Sequence, residues 1–153
     1  MTANSRLLFV YGTLQRKGKW HAELKRASAV KFLGPARING KLFRLADEDY
    51  PAAVPTRESD RFVHGQLFTM SDPEKTLSHL DEFEEVNEGL FRREMVDVWF
   101  GDGRKSAWAY FYARPLRKAL LLGDGRYRPV RELVRRERPR GVRPAKIKTH
   151  NRG

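Results

Sequence analysis

The feature that most limits the fold is a pair of apolar runs around Gly101-Asp102-Gly103. Residues 91–100 and 105–113 flank that turn with strand-forming side chains and read as a β-hairpin. In the second run Trp108, Tyr110 and Tyr112 alternate with Ala107, Ala109, Phe111 and Ala113, which puts the two sets on opposite faces. Further strands are expected over residues 6–11 and 61–70, where Gly65 marks a bulge or a close approach. Residues 29–45 read as two strands or one bent strand, broken at Gly34-Pro35 and Asn39-Gly40. The stretch YPAAVP at 50–55 holds two prolines and reads as a stiff loop rather than a central strand.

Helices are fewer. Trp20, Leu24 and Ala27 recur at helical spacing and predict a short helix over 19–27. A clearer one starts at Ser71-Asp72-Pro73-Glu74, where the serine can cap the Glu74 amide and the Glu74 carboxylate returns the bond. Proline suits that first turn, and the helix should run to about Glu85. Strands joined mostly by turns, with one or two short helices, predict an α+β fold built on a small mixed β-barrel.

The length of 153 residues fits one domain, expected over 1–128 and followed by a basic, flexible tail over 129–153, with one helical turn near 130–136. The formal charge of +12 sits mainly at that end, since residues 126–153 carry 11 Lys/Arg and two Asp/Glu, or +9. Such a tail keeps a protein soluble or makes weak contact with a polyanion. No RNA-recognition aromatic motif, zinc-knuckle spacing or helix-turn-helix pattern accompanies it. The chain has no cysteine, lacks a signal-peptide pattern and has no apolar run long enough to span a bilayer, so a cytoplasmic, soluble protein with no membrane contact is expected. Its oligomeric state is not legible.

His21, His64, His79 and His150 are scattered without metal-ligand spacing, so no metal site is expected. There is neither a G-x-S-x-G elbow nor a cysteine nucleophile. The segment FVYGTL at 9–14 runs a strand into a glycine turn, as a phosphate cradle would. It is not a Walker loop, because Gly18 is followed by Lys19-Trp20 without the hydroxyl residue. Two readings of the turn stay open. Gly12 lets the backbone approach a ligand whose carboxylate or oxyanion the following amides hold, or the turn is a plain glycine turn.

On the second helix Leu77, Leu80 and Glu84 share one face, and the leucines imply that it is buried. A carboxylate there loses hydration, which raises its pKa towards the range of a general acid/base. Asp81 lies near the same face and can instead cap the helix or pair with Arg92 or Arg93.

Five stretches in order, FVYGTL at 9–14, YPAAVP at 50–55, HGQLF at 64–68, LDEFE at 80–84 and AWAYFYARP at 107–115, resemble the gamma-glutamylcyclotransferase-like family and, within it, the gamma-glutamylamine cyclotransferase branch. The resemblance covers residues 6–128. It implies a mixed fold around a small barrel and a small gamma-glutamyl substrate, cleaved without water, metal or organic cofactor. The substrate's α-amine attacks its own side-chain carbonyl, releasing 5-oxoproline and a free amine. By position, Glu84 matches the acid/base that moves the proton. Tyr11, Gly12, Thr13 and Leu14 match the loop whose backbone holds the glutamyl end. Tyr50 and Pro51 match a stiff pocket wall, and Tyr112 a polar contact. Two departures concern aromatic positions: Phe91 stands where the family often has tyrosine, and Gly123-Asp124-Gly125 where a Gly-Asp-Trp is common. The alternative is a non-catalytic small-metabolite-binding module with a polyanion-binding arginine-rich tail.

Overall fold

In the computed structural model, which describes residues 5–12, 14–15, 21–27, 29–46, 48 and 50–127, the hairpin is the longest antiparallel ladder. Strands β6 (Phe91–Phe100) and β7 (Gly103–Tyr112) pair without interruption from Phe91↔Tyr112 to Phe100↔Gly103. Gly101, with φ 58, turns the chain between them, a conformation that costs a residue with a Cβ. Around this ladder five strands close a barrel in the order β1-β5-β2-β6-β7, with β1 (Leu7–Val10), β2 (Val30–Asn39) and β5 (Phe62–Met70). Closure is made by the parallel contact of β1 with β7 at Leu8↔Trp108, which leaves the barrel no open edge there. A second sheet of three strands, β4-β3-β8, combines β3 (Lys41–Leu45), β4 (Pro51–Val54) and β8 (Ala119–Leu121).

The alternation along each strand divides the core in two. Phe9, Ile38, Val63, Leu67, Val98 and Phe111 fill the barrel, with Ala107 and Ala109 between them. The opposite faces carry Leu8, Val10, Phe68, Met70 and Tyr110, which pack against Leu24 of α1 (His21–Ala27) and Leu77 and Leu80 of α2 (Pro73–Phe83). Each such buried aliphatic or aromatic side chain contributes about 1.5–3 kcal/mol. Gly65 is a close approach and not a bulge: a Cβ there would run into the Val10 carbonyl and stand 2.7 Å from the Phe9 ring.

Several local expectations are corrected. YPAAVP is not a loop, since Pro51–Val54 forms β4 and pairs with β3 from Arg44↔Pro51 to Lys41↔Val54. It lies at the edge of its sheet, where a proline's missing amide interrupts no ladder. Gly34-Pro35 does not break β2 but forms a bulge within it, the register against β5 shifting between Phe32 and Gly34, whereas the break at Gly40 is present. The cap of α2 is Asp72, whose Oδ1 accepts from the Lys75 amide at 3.1 Å, and Ser71 Oγ instead donates to Ala29 O at 2.9 Å. Helix α2 ends at Phe83, and β8 has no counterpart in the sequence reading. Residues 19 and 20, the 129–153 tail and its expected helical turn lie outside the described residues.

Candidate active site

The C-terminus of α2 places its carboxylate by a specific stop. Glu85 adopts φ 55, its amide bonds Glu82 O at 3.1 Å, and the Val86 amide bonds Asp81 O at 2.9 Å. These are the paired bonds of a Schellman motif, with Glu84 as the cap residue and Glu85 at the left-handed position usually held by glycine. Glu84 is 8% exposed, and with Thr76 it makes up the buried polar or charged side chains among the described residues. The stop therefore fixes an acidic side chain at the boundary of the core.

On the other side, the exit of β1 is pinned by its own carbonyls. The Gln15 amide donates to Gly12 O at 3.1 Å, closing a tight turn. The Gln15 side chain donates to Tyr11 O at 2.9 Å and to Gly12 O at 3.1 Å. His21 Nδ1 lies 2.9 Å from Leu14 O and must carry the proton, because a carbonyl only accepts. A Cβ on Gly12 would stand 3.0 Å from Pro51 Cδ and Cγ, so the glycine lets this turn lie against the start of β4.

Turn, β4 and helix end meet in one narrow cleft of about 30 Å³. Tyr11, Gly12, Leu14, Tyr50, Pro51 and Glu84 all line it, together with Phe9, Val10, Phe91 and Tyr110. The Tyr11 hydroxyl is turned away to the β7 backbone, donating to Tyr110 O at 2.7 Å. Thr13 lies outside the described residues. Tyr112 does not line the cleft. It borders a neighbouring one with Leu45, Glu48, Arg114 and Arg117, and meets Phe91 edge-on at 5.6 Å between ring centroids. Phe91 in turn lies 5.9 Å from the Tyr50 ring, so a row of three aromatic rings separates the two clefts.

Tyr110 was not anticipated. Its hydroxyl donates to Asp81 Oδ1 at 2.7 Å, and Asp81 is also paired with Arg93 Nε at 3.1 Å. Burial, the bond to Asp81 and the negative charges of Asp81 and Glu84 push this phenol far above its ordinary range, with Arg93 opposing them. Tyr110 is therefore a fixed donor. Of the two partners open for Asp81, the structure selects Arg93, whose guanidinium also lies 4.7 Å over the Trp108 ring, while Arg92 pairs with Glu94. The hairpin register carried the signal: counting back from the Gly101-Asp102 turn sets Tyr110 opposite Arg93. Gly125 has φ 66, and a Cβ there would run into the Phe62 carbonyl, so this backbone accepts no aromatic side chain at that position. Among the described residues no group of three His, Cys, Asp or Glu is placed to hold a metal ion.

The family description "Gamma-glutamyl cyclotransferase, AIG2-like" matches residues 8–129. Over 120 residues the chain is 32% identical to the gamma-glutamylcyclotransferase family protein YtfP of Escherichia coli K12, covering 77% of this chain and 92% of that one. Its namesake in Citrobacter rodentium is 31% identical over 122 residues, 78% of this chain and 93% of the other. Among solved structures, YkqA of Bacillus subtilis superposes with a TM-score of 0.66 at 24% identity over 88% of this chain, which spans 44% of that longer chain. An AIG2-like protein of Mus musculus gives a TM-score of 0.62 at 20% identity, covering 81% of this chain and 95% of that one. The two structures show the fold, and the family match with the two sequence relatives shows more: the chain belongs to the gamma-glutamyl cyclotransferase, AIG2-like family.

Proposed function

We propose that the cleft cyclises a gamma-glutamyl amine to 5-oxoproline and a free amine, with Glu84 as general acid/base. The observation that carries this reading is the buried Glu84 lining the same cleft as the Gly12 turn. The substrate's α-amino nitrogen attacks its own γ-carbonyl carbon, forming the ring C–N bond, and the bond from that carbon to the leaving nitrogen breaks. Glu84 takes the proton released by the attacking nitrogen and delivers it to the leaving amine, which departs neutral. Nucleophile and carbonyl are already tethered, so the protein has to fold the substrate into the attacking pose and exclude water. With Gln15 and His21 engaging its carbonyls, the β1 turn offers its N–H groups to the glutamyl carboxylate or the developing oxyanion. Tyr50, Pro51 and Phe91 supply apolar walls, and Tyr112 with the cleft beyond Phe91 takes the amine portion. A chain without cysteine fits a reducing compartment, and we place the activity in the cytoplasm.

The test is 5-oxoproline release from a panel of gamma-glutamyl amines. Glu84→Gln keeps the shape of the side chain and removes its proton chemistry, so turnover should drop about 10²–10⁴-fold with the melting temperature little changed. Absence of turnover across the panel, or a fully active glutamine variant, would sink the assignment.

A further inference from the structure

The outer face of the barrel carries a second cleft, of about 360 Å³, lined by Pro35, Arg37, His64, Trp99, Asp102 and Arg126 among others. Its basis is a row across four strands. His64 on β5 pairs with Arg37 on β2, Arg37 with Trp99 on β6, and Trp99 with Arg104 on β7. Residues directly opposite one another in a sheet project from the same face, and four strands about 4.8 Å apart span about 14 Å. Arg126 joins the end of the row beside His64, where the His64 amide bonds Gly125 O at 2.8 Å.

The row is arranged as cations around a ring. Arg104 lies 5.2 Å from the Trp99 ring centroid, and Arg37 lies 4.4 Å over Phe62. Burial, followed by the positive charges of Arg126 and Arg37, lowers the pKa of His64, with Asp124 acting weakly the other way. Arg126 and Arg37 thus place positive charge beside His64 in the cleft. Asp102, exposed on the hairpin turn, is the cleft's own carboxylate, and Asp124 is bonded to the Arg126 amide at 3.1 Å. The Trp99 indole nitrogen is buried with no acceptor among the described residues. At Arg126 the cleft is continuous in sequence with the segment of net charge +9 over 126–153.

We propose that the row His64–Arg37–Trp99–Arg104, with Arg126 at its end, binds single-stranded nucleic acid. Guanidinium groups on both sides of an indole match phosphates flanking a base that stacks on an aromatic ring, which a duplex does not expose. The long run of arginine after Arg126 favours an extended polyanion over a compact one. The row is assembled from four strands distant in sequence, so it leaves no contiguous recognition motif.

The test uses the full chain and a labelled mixed-sequence single-stranded RNA of about 20 nucleotides, with fluorescence anisotropy read over a range of salt. Replacing two of the three exposed arginines, Arg37→Ala with Arg126→Ala, should weaken binding at least tenfold. It should also flatten the slope of log affinity against log salt by about 1.4, two single-strand phosphate contacts. Trp99→Phe should weaken RNA binding severalfold and leave inorganic polyphosphate binding unchanged, and both variants should keep wild-type melting and 5-oxoproline release. The proposal is overturned if the wild type does not bind, or if the double variant binds with wild-type affinity while Arg138→Ala with Arg140→Ala abolishes binding. Equal competition by polyphosphate with no effect of Trp99→Phe would also overturn it, in favour of a simple polyanion contact.

Discussion

Tyr110 on β7 and Asp81 on α2 are joined by a 2.7 Å hydrogen bond from phenol to carboxylate, and this bond ties the barrel to the helix turn that ends in Glu84. Asp81 also supplies the carbonyl that closes the helix stop at Val86. Tyr110→Phe should therefore cost about 1.5 kcal/mol in denaturant unfolding, the low end for a bond to a charged group because Arg93 still neutralises Asp81. Turnover should fall as well, since a phenyl ring without the hydroxyl cannot hold the turn that carries Glu84. A variant with unchanged turnover would confine the bond to stability.

Gly12 tests the other wall. A Cβ placed 3.0 Å from two Pro51 atoms requires the turn or the proline to give by a few tenths of an ångström. Gly12→Ala should raise KM for gamma-glutamyl substrates several-fold while kcat and melting temperature change little, because Glu84 is untouched. A kcat loss at constant KM would show that the turn acts on the transition state rather than on substrate binding.

How much of this was legible in the sequence depended on the range of the interaction. The hairpin could be read because turn and ladder are local, but not its register: the second strand starts at Gly103 rather than 105, which sets Arg93 opposite Tyr110 and Phe91 opposite Tyr112. Glu84 could be placed near the core because its helix periodicity is local too. Choosing between Tyr110 and Tyr112 could not be done that way, since both share a strand face and the choice depends on where α2 docks. Two prolines in YPAAVP point to a loop because a sheet edge, where β4 accommodates Pro51, is set by strands distant in sequence. Ser71 lost the cap to Asp72 because its hydroxyl found a distant carbonyl, Ala29 O. The outer cationic row was invisible for the same reason, its members meeting only across strands.

His64 makes the stability depend on pH in a definite direction. Burial, Arg126 and Arg37 lower its folded-state pKa against the small opposing effect of Asp124. The unfolded chain, titrating near 6.5, then takes up the proton first as pH falls. The contribution is constant above that value and is lost progressively below it, down through the folded pKa. His64→Gln should flatten the decline in melting temperature below about pH 6.5. An identical decline in variant and wild type would assign it to other groups.

Glu85 offers the sharpest test of how the carboxylate is held. It occupies the left-handed position of the helix stop with φ 55, where an L-residue costs about 1–2 kcal/mol and glycine costs little. Its negative charge also sits at the helix C-terminus, the unfavourable end of the dipole. Glu85→Gly should thus raise stability by about 1 kcal/mol, the strain relief exceeding the added chain entropy of glycine. The same change frees the backbone next to Glu84, so turnover should fall while stability rises. If stability falls instead, the Glu85 side chain contributes an interaction larger than the strain. If both stability and turnover rise, the strained stop does not position Glu84, and the geometry of the cleft has to come from the Tyr110–Asp81 bond and the packing of Leu77 and Leu80.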